Sequence, residues 1–399
     1  MTQVVTNGRK SGSSLEHLLR AQAEGASGPP GVEAVIAIEV GEGTGYTIHL
    51  KESRLEPTPG LPENPTVRVI TDPETMAAVI GGSRSGVHAF LRGDLRVRGN
   101  LALALQLDSM FGNGKRPARW PRSGTVRAGG LHTSYLEAGR GSLVVLLHGL
   151  GATNASFLPT MWDLARDHRV IAPDLPGFGE TAKPIRSYDA KFYAQWTAAF
   201  LKQLGVERAQ VVGNSMGGRV ALELGMQYPE MVDRMVLLAP SPAFIRNREF
   251  VRLVRILRPE LALIPVPIRH TQVVRGIKAM FSRPSRLPDA WYEAAADEFI
   301  RVFKTARGRI AFFSAARQIY LEEPHGDDGF WDRLPSMTRP ALFVWGERDR
   351  LVPAGFARHV VKALPKARSE VFDDCGHVPQ YEMPRRTNAL IREFTGAAG

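Results

Sequence analysis

Two rhythms of apolar residues divide the chain. In the first hundred or so residues, E-A-V-I-A-I-E-V (33–40) and Y-T-I-H-L (46–50) read as paired strands, with T-V-R-V-I (66–70) as a third. T-D-P-E-T-M then opens a helix: Asp72 or Thr71 can cap it, Pro73 suits its first turn, and Met76, Ala77, Val79 and Ile80 supply a buried face. A second short helix is expected around Val87 to Leu91. In L-A-L-A-L-Q-L-D-S-M-F (101–111) the leucines alternate as in a strand, but length and alanine content favour a helix. Such a helix is apolar nearly all round, which suits burial on several sides or one wall of an apolar cavity. A seam follows at K-R-P-A-R-W-P-R-S-G (115–124), where Pro, Gly and charge interrupt the pattern. Beyond it strands alternate with helices, as in a parallel sheet covered on both faces. S-L-V-V-L-L ends in H-G-L-G, V-I-A-P-D ends in L-P-G-F-G, and A-Q-V-V-G ends in N-S-M-G-G. Open sheets of this kind bind ligands beyond the carboxyl ends of their strands, so the three glycine turns are expected to crowd one crevice.

The expected organisation is a disordered polar tail over 1–14, a small α+β domain over 15–116, a linker over 117–124 and an α/β domain over 125–399. Residues 241–336, inserted between L-L-A-P-S-P and M-T-R-P-A-L-F-V-W, are too many for a simple crossover and are expected to form a helical lid.

A length of 399 residues fits two or three domains, and 44% hydrophobic content fits a globular chain. The N-terminus lacks the apolar run of a signal peptide, and no apolar run approaches the ~18 residues that span a bilayer. Cys375, the single cysteine, can form neither an internal disulfide nor a cysteine metal cluster. A cytoplasmic protein is the resulting expectation. The net charge of +11 invites a nucleic-acid partner, but residues 245–286 hold ten Arg or Lys against two Glu, so one segment carries most of the excess. There Phe250, Leu253, Val254 and Leu257 recur at helical spacing opposite Arg248, Arg252 and Arg255. That is a basic amphipathic helix, either a solvated face over an ordinary core or a surface for anionic lipid, and no nucleic acid is expected.

The serine in V-V-G-N-S-M-G-G is fenced by glycines. A serine on a sharp strand-to-helix turn with its hydroxyl exposed needs small neighbours, and Gly213 and Gly217 supply them around Asn214 and Ser215, with Gly218 letting the helix approach the sheet. A serine nucleophile needs a base, and in this architecture the chain order is Ser, acid, His. His377, in F-D-D-C-G-H-V-P-Q-Y-E, follows the last apolar strand and fits the base. His148 more naturally braces its own turn, His359 sits mid-helix and His325 lies in a polar loop. Asp349, in the loop after F-V-W-G-E-R, fits the acid, whereas L-L-A-P-S-P offers no carboxylate. Asp373 and Asp374 lie too close to His377 along the chain, and Asp174 is read as a loop-pinning residue.

Taken in order, H-G-L-G, A-P-D-L-P-G-F-G, G-N-S-M-G-G, G-E-R-D and C-G-H make residues 125–399 resemble the α/β-hydrolase family. That resemblance implies an oxyanion hole from the backbone N–H groups of Met216 and Leu150, and a lid lining the substrate pocket. Residues 32–112, through G-D-L-R-V-R-G-N-L-A-L-A-L-Q-L-D-S-M-F and the D-P-E-T helix, resemble sterol-carrier-protein lipid-transfer domains. This implies a tunnel for sterols, acyl chains or acyl-CoA, with a scaffold that kept only the shape as the alternative.

Together these features point to a serine hydrolase of apolar, lipid-like esters, requiring no cofactor and no metal. Two rivals stand beside it. Carbon-carbon bond hydrolases of aromatic and steroid-ring degradation are similar in G-N-S-M-G-G and C-G-H, but typically carry H-G-G-G-P-G where this chain has H-G-L-G-A-T, and a Trp where it has Val378. A lipid-binding or transfer protein with a silent hydrolase half is the second. Serine at the elbow argues against haloalkane dehalogenases and epoxide hydrolases, which place Asp there.

Overall fold

A computed structural model describes residues 7–29, 31–41, 44–111, 117–242, 262–263 and 267–396, with side chains from Leu15 onward. The chain groups into two units: residues up to Ser123 together with Pro288–Glu298, and Gly124–Leu287 together with Phe299–Gly399.

The first unit is built on a five-stranded sheet in the order β3-β2-β1-β4-β5. Its strands are β1 (Ala34–Val40), β2 (Gly45–Lys51), β3 (Arg54–Pro59), β4 (Val67–Thr71) and β5 (Leu95–Gly99). β1 runs antiparallel to β2 and parallel to β4, so Ile36 and Ile38 lie in register with Val67 and Val69 and all four are buried. Helix α1 (Asn7–Ala23) begins inside the stretch expected to be a disordered tail; Leu15 and Leu19, one turn apart, are buried and give the segment an apolar face despite its polar composition. Asp72 caps α2 (Pro73–Ile80) by accepting from the Thr75 amide, and Ser85 caps α3 (Gly86–Arg92). The leucine-rich stretch is helical but broken into α4 (Leu101–Ala104) and α5 (Leu107–Met110), with Leu101, Leu103, Leu105 and Leu107 all buried. The break explains the strand-like alternation: neither piece is long enough for a helical period to show.

Residues Pro288–Glu298 join this unit from far along the chain. The Trp291 ring stacks on Phe90 at 5.8 Å, and its Nε1 donates to the Phe90 carbonyl at 3.0 Å. Arg98 Nε meets Asp297 Oδ2 at 2.7 Å, and the Gly99 amide donates to the same oxygen at 2.9 Å.

The second unit is an eight-stranded sheet in the order β13-β12-β11-β10-β8-β9-β7-β6. In chain order these are β6 (Arg122–Ala128), β7 (Leu131–Gly139), β8 (Ser142–Leu147), β9 (His168–Pro173), β10 (Ala209–Asn214), β11 (Val232–Leu238), β12 (Ala341–Gly346) and β13 (Arg368–Phe372). From β13 across to β9 every neighbouring pair is parallel, and β7 runs antiparallel to β9. Helices α6 (Leu158–Leu164), α7 (Ala190–Gln203) and α8 (Met216–Gln227) alternate with these strands. Within the insertion lie α9 (His270–Lys278), α10 (Asp289–Phe303) and α11 (Ala306–Tyr320), and the last helix, α12, is Pro384–Thr395. The amphipathic helix expected around Phe250 to Leu257 falls outside the described residues. Among the described residues no helix is long and apolar enough to cross a membrane.

Register positions the site. Leu147 of β8 pairs with Gly213 of β10, Gly213 with Leu237 of β11, Leu238 with Val344 of β12, and Gly346 with Phe372 of β13. Each strand therefore ends at nearly the same height. The turns that follow, carrying His148, Ser215, Ser241, Asp349 and His377, all leave from one carboxyl edge.

Candidate active site

β10 delivers the chain to Ser215 at φ 54°, ψ −117°, a backbone conformation that side chains other than glycine rarely adopt. Holding it costs about 1–3 kcal/mol, so the surroundings must over-determine it. The Ser215 amide donates to Leu238 O at 2.9 Å, while its carbonyl accepts from the amides of Ser241 at 3.0 Å and Arg219 at 3.1 Å. A Cβ at Gly217 would lie 2.0 Å from Leu147 O, so only glycine lets α8 start this close to the turn after β8. A Cβ built on Gly149 would likewise stand 3.3 Å from Ser215 Cβ, so the turn after β8 lies directly against the serine.

His377 Nδ1 lies 2.7 Å from Asp349 Oδ2, and both residues are buried. The other carboxylate oxygen of Asp349 accepts from the amides of Leu351 at 2.8 Å and Val352 at 2.9 Å. With its partner an acceptor, Nδ1 carries the proton and Nε2 is left as the basic nitrogen. Asn214 Nδ2 donates to both Leu238 O at 3.0 Å and His377 O at 3.2 Å, tying the histidine loop to the residue just before the serine. On its other side the His377 amide donates to Met280 O at 2.8 Å, within the segment following α9.

Two residues at this site carry no catalytic signature in the sequence. Ser215 Oγ faces Ser241 Oγ at 3.3 Å, and Ser241 Oγ faces the Tyr320 hydroxyl at 3.4 Å. These bonds are long for hydroxyl pairs and hold Oγ only loosely. Burial pushes the Tyr320 phenol upward against the opposing influence of the two serine hydroxyls, so it stays neutral, its oxygen accepting from Ser241. Ser241 sits in L-L-A-P-S-P, which offers no carboxylate; Tyr320 closes α11 and has no local signal.

The remaining candidates take structural places. His148 accepts from the Leu175 amide at 2.9 Å and donates through Nδ1 to Gly149 O at 2.9 Å; burial pushes its pKa down to about 4, so it braces the turn as a neutral ring. Asp174 accepts from the amides of Asn154 at 2.8 Å and Glu180 at 2.9 Å, pinning two loops. Asp374 is held by Ser282 at 2.8 Å and by Arg283, Arg286 and Arg348, and so faces away from catalysis. His325 is exposed beside Asp332, and His359 lies against Trp331 and Phe356.

Beside the turn after β8 lies a small apolar gap of about 10 Å³, room for roughly one water, lined by Gly151, Ala152, Phe178, Phe299, Val302, Phe303, Gly308 and Phe312. Phe299 and Phe303 stack at 5.2 Å, and the Phe312 ring meets each edge-on. Val273, Val274 and Ile277 of α9 are half-buried, with Arg269 and Arg275 exposed next to them.

A family model of the alpha/beta hydrolase fold matches residues 142–384, and one of the SCP-2 sterol transfer family matches residues 15–112. A 2-hydroxy-6-oxo-6-(2'-aminophenyl)hexa-2,4-dienoic acid hydrolase of Metapseudomonas resinovorans is 30% identical over 270 residues, covering 65% of this chain and 86% of that protein. A solved serine hydrolase involved in carbazole degradation is 25% identical, with a TM-score of 0.58 over 69% of this chain and 98% of its own. A solved membrane phospholipase A, a bacterial virulence factor, shares the fold at 23% identity, with a TM-score of 0.61 over 81% of this chain and 95% of its own.

Proposed function

Because the chain belongs to the alpha/beta hydrolase family and carries an SCP-2 sterol transfer family domain ahead of that fold, we propose that it is a serine hydrolase cleaving carboxylic esters of apolar, lipid-like substrates. One observation carries this reading: a buried His377–Asp349 pair at 2.7 Å, tied through Asn214 to a strained serine. Ser215 Oγ attacks the ester carbonyl while His377 Nε2 takes its proton; Asp349 fixes the tautomer and stabilises the imidazolium. The tetrahedral oxyanion is held by the amides of Met216 and Leu150, each worth about 10² to 10³ in rate. His377 then protonates the leaving alkoxide, and water, activated by the same nitrogen, releases the acyl group from Ser215.

The test is labelling with a fluorophosphonate, followed by turnover of p-nitrophenyl and lipid esters. Wild type should be labelled at Ser215, and Ser215→Ala and His377→Ala should each abolish turnover with the fold intact. Near-normal rates in Ser215→Ala would sink the nucleophile assignment.

A second reading, a carbon-carbon bond hydrolase, is favoured by the Metapseudomonas resinovorans relative, whose substrate is a dienoic acid. The shorter H-G-L-G turn and Val378 in place of a Trp weigh against it. Loss of the dienoate absorbance faster than any ester is cleaved would decide for it.

The sterol-carrier domain is assigned the role of holding the same class of apolar ligand, which raises its local concentration at the hydrolase. Full-length protein should then exceed the 120–399 fragment on a long-chain ester but not on a soluble one. Basic α9 and the segment before it are assigned contact with anionic bilayers, at roughly 1 kcal/mol for each basic residue near the surface. Arg248, Arg252 and Arg255 changed together to Gln should weaken binding to phosphatidylserine vesicles; unchanged binding at low salt would leave a solvated face.

A further inference from the structure

Ser215 Oγ must serve twice, first as nucleophile and then as leaving group, and the hydroxyls beside it bear on the second task. Ser241 Oγ stands 3.3 Å from it and the Tyr320 hydroxyl 3.4 Å from Ser241, with all three residues buried. Each neighbour is fastened by a further bond. The Ser241 amide donates to Ser215 O at 3.0 Å. Glu322, two residues beyond Tyr320, accepts from Arg219 Nε at 2.7 Å, and Arg219 lies one turn after Ser215, its amide bonded to Ser215 O at 3.1 Å. The helix that ends at Tyr320 is thereby clamped to the one that starts beside the nucleophile. At rest Ser241 donates its single hydrogen to Tyr320, so its oxygen is left to accept from the Ser215 hydroxyl.

The demand on Ser215 Oγ differs between the two halves of the reaction. In acylation a donor beside Oγ eases loss of its proton but also weakens its attack, so the two effects offset each other. In deacylation water bonds the acyl carbon as His377 Nε2 takes its proton. The bond from that carbon to Oγ then breaks, its electron pair stays on Oγ, and His377 returns the proton there. That intermediate expels either the new hydroxyl or Ser215, and a donor at Oγ tilts the choice toward Ser215 with nothing to offset it. Once acylated, Oγ has no hydrogen; Ser241 can turn its own hydrogen onto it, and the Tyr320 hydroxyl can turn toward Ser241. Separations of 3.3 and 3.4 Å are long for neutral hydroxyls and shorten on a charged oxygen, so the stabilisation arises in the transition state rather than before it. We propose that Ser241 is a catalytic residue of the deacylation step, donating to Ser215 Oγ as the acyl group leaves, and that Tyr320 positions Ser241 for it. Neither gives up its proton. This rests on the hydrolase reading above and extends its catalytic machinery.

Full-length wild type, Ser241→Ala, Ser241→Thr and Tyr320→Phe, each checked for folding by circular dichroism, are mixed rapidly with p-nitrophenyl acetate. The first release of p-nitrophenolate gives acylation, and quenched-flow mass spectrometry of the acetyl group on Ser215 gives deacylation. In Ser241→Ala acylation should fall by about three- to tenfold and deacylation by about ten- to a hundredfold, the range for a hydrogen bond to a charged oxygen, so that acetyl-enzyme accumulates. Tyr320→Phe should shift the same balance by a smaller factor, and Ser241→Thr should restore part of it. The deacylation deficit should persist when hydroxylamine replaces water as the acceptor, because Ser215 is still the leaving group. Relief by hydroxylamine would place Ser241 on the attacking water and overturn the proposal. An equal loss in both steps would overturn it too, and Ser215 labelled by fluorophosphonate would leave the hydrolase standing in either case. A wild-type serine that takes up neither fluorophosphonate nor acetyl overturns the hydrolase reading and the Ser241 assignment with it. Should Ser241→Ala not fold, Tyr320→Phe, which removes one oxygen, decides: an unchanged ratio of the two steps overturns the proposal.

Discussion

Replacing Glu223 with Gln should remove about 3 kcal/mol of stability at neutral pH, and the loss should shrink as the solution is acidified. One turn beyond Ser215, Arg219 is fully buried; its Nη2 donates to Glu223 at 2.8 Å and to Glu322, and its Nε to Glu322 at 2.7 Å. Arg333 meets Glu223 through two nitrogens at 2.8 and 3.1 Å, and Gln227 donates to the same carboxylate at 2.6 Å. The Phe330 ring lies under the Arg219 guanidinium at 4.6 Å. Burial alone would raise the Glu223 carboxyl, but the Arg333 hydrogen bonds and the Arg219 charge outweigh it and lower its pKa from 4.5 to about 2.

At about 1.4 kcal/mol for each pH unit of that difference, the ionised form gains roughly 3 kcal/mol over the protonated one on folding. A glutamine has the size of the protonated acid, so the variant should sit that far below wild type at pH 7. The folded value is the depressed one. The stabilisation is therefore complete above 4.5 and is lost as pH falls toward 2, leaving a difference of roughly 1.4 kcal/mol at pH 3. Urea unfolding followed by circular dichroism, at pH 7, 4 and 3, measures it. A difference below about 1 kcal/mol at pH 7, or one that does not change with pH, would refute the argument by showing that desolvation of the four charges cancels their attraction.

Three other outcomes are expected. Asp349→Asn should cut kcat by about 10³ to 10⁴ through the wrong His377 tautomer, with circular dichroism unchanged; a loss under tenfold removes Asp349 from the mechanism. Ser241→Ala and Tyr320→Phe should each slow fluorophosphonate labelling of Ser215 by about three- to tenfold, the worth of one ordinary hydrogen bond, with Ser241→Thr restoring part of it. The His148 ring should stay neutral by proton NMR down to pH about 4, so between 6.5 and about 4 the unfolded chain takes up a proton that the folded one refuses, and stability declines with falling pH. Titration near 6.5 in the folded protein would contradict its buried place.

Features that depend on a few adjacent residues were legible in the chain. The elbow at Ser215 is local: a buried strand, a serine and glycines where any Cβ would collide. Asp72 capping the Pro73–Ile80 helix is equally local. Chain order then pointed to His377 and Asp349, because parallel strands in register must deliver their following loops to one edge. The sequence did not reveal contacts whose partners are far apart. Ser241 and Tyr320 are 79 residues apart, and Arg219 and Glu322 are 103 apart. Trp291, read as part of a lid, packs its indole on Phe90, 201 residues earlier. Tail residues from Asn7 onward are helical, and Leu15 and Leu19 farther along that helix are buried although the segment's composition is polar. Local sequence sets the backbone's choices through sterics and periodicity over a few residues. Which distant hydroxyl, charge or ring fills the space beside a given side chain is decided only when sheet register and helix packing fix that space.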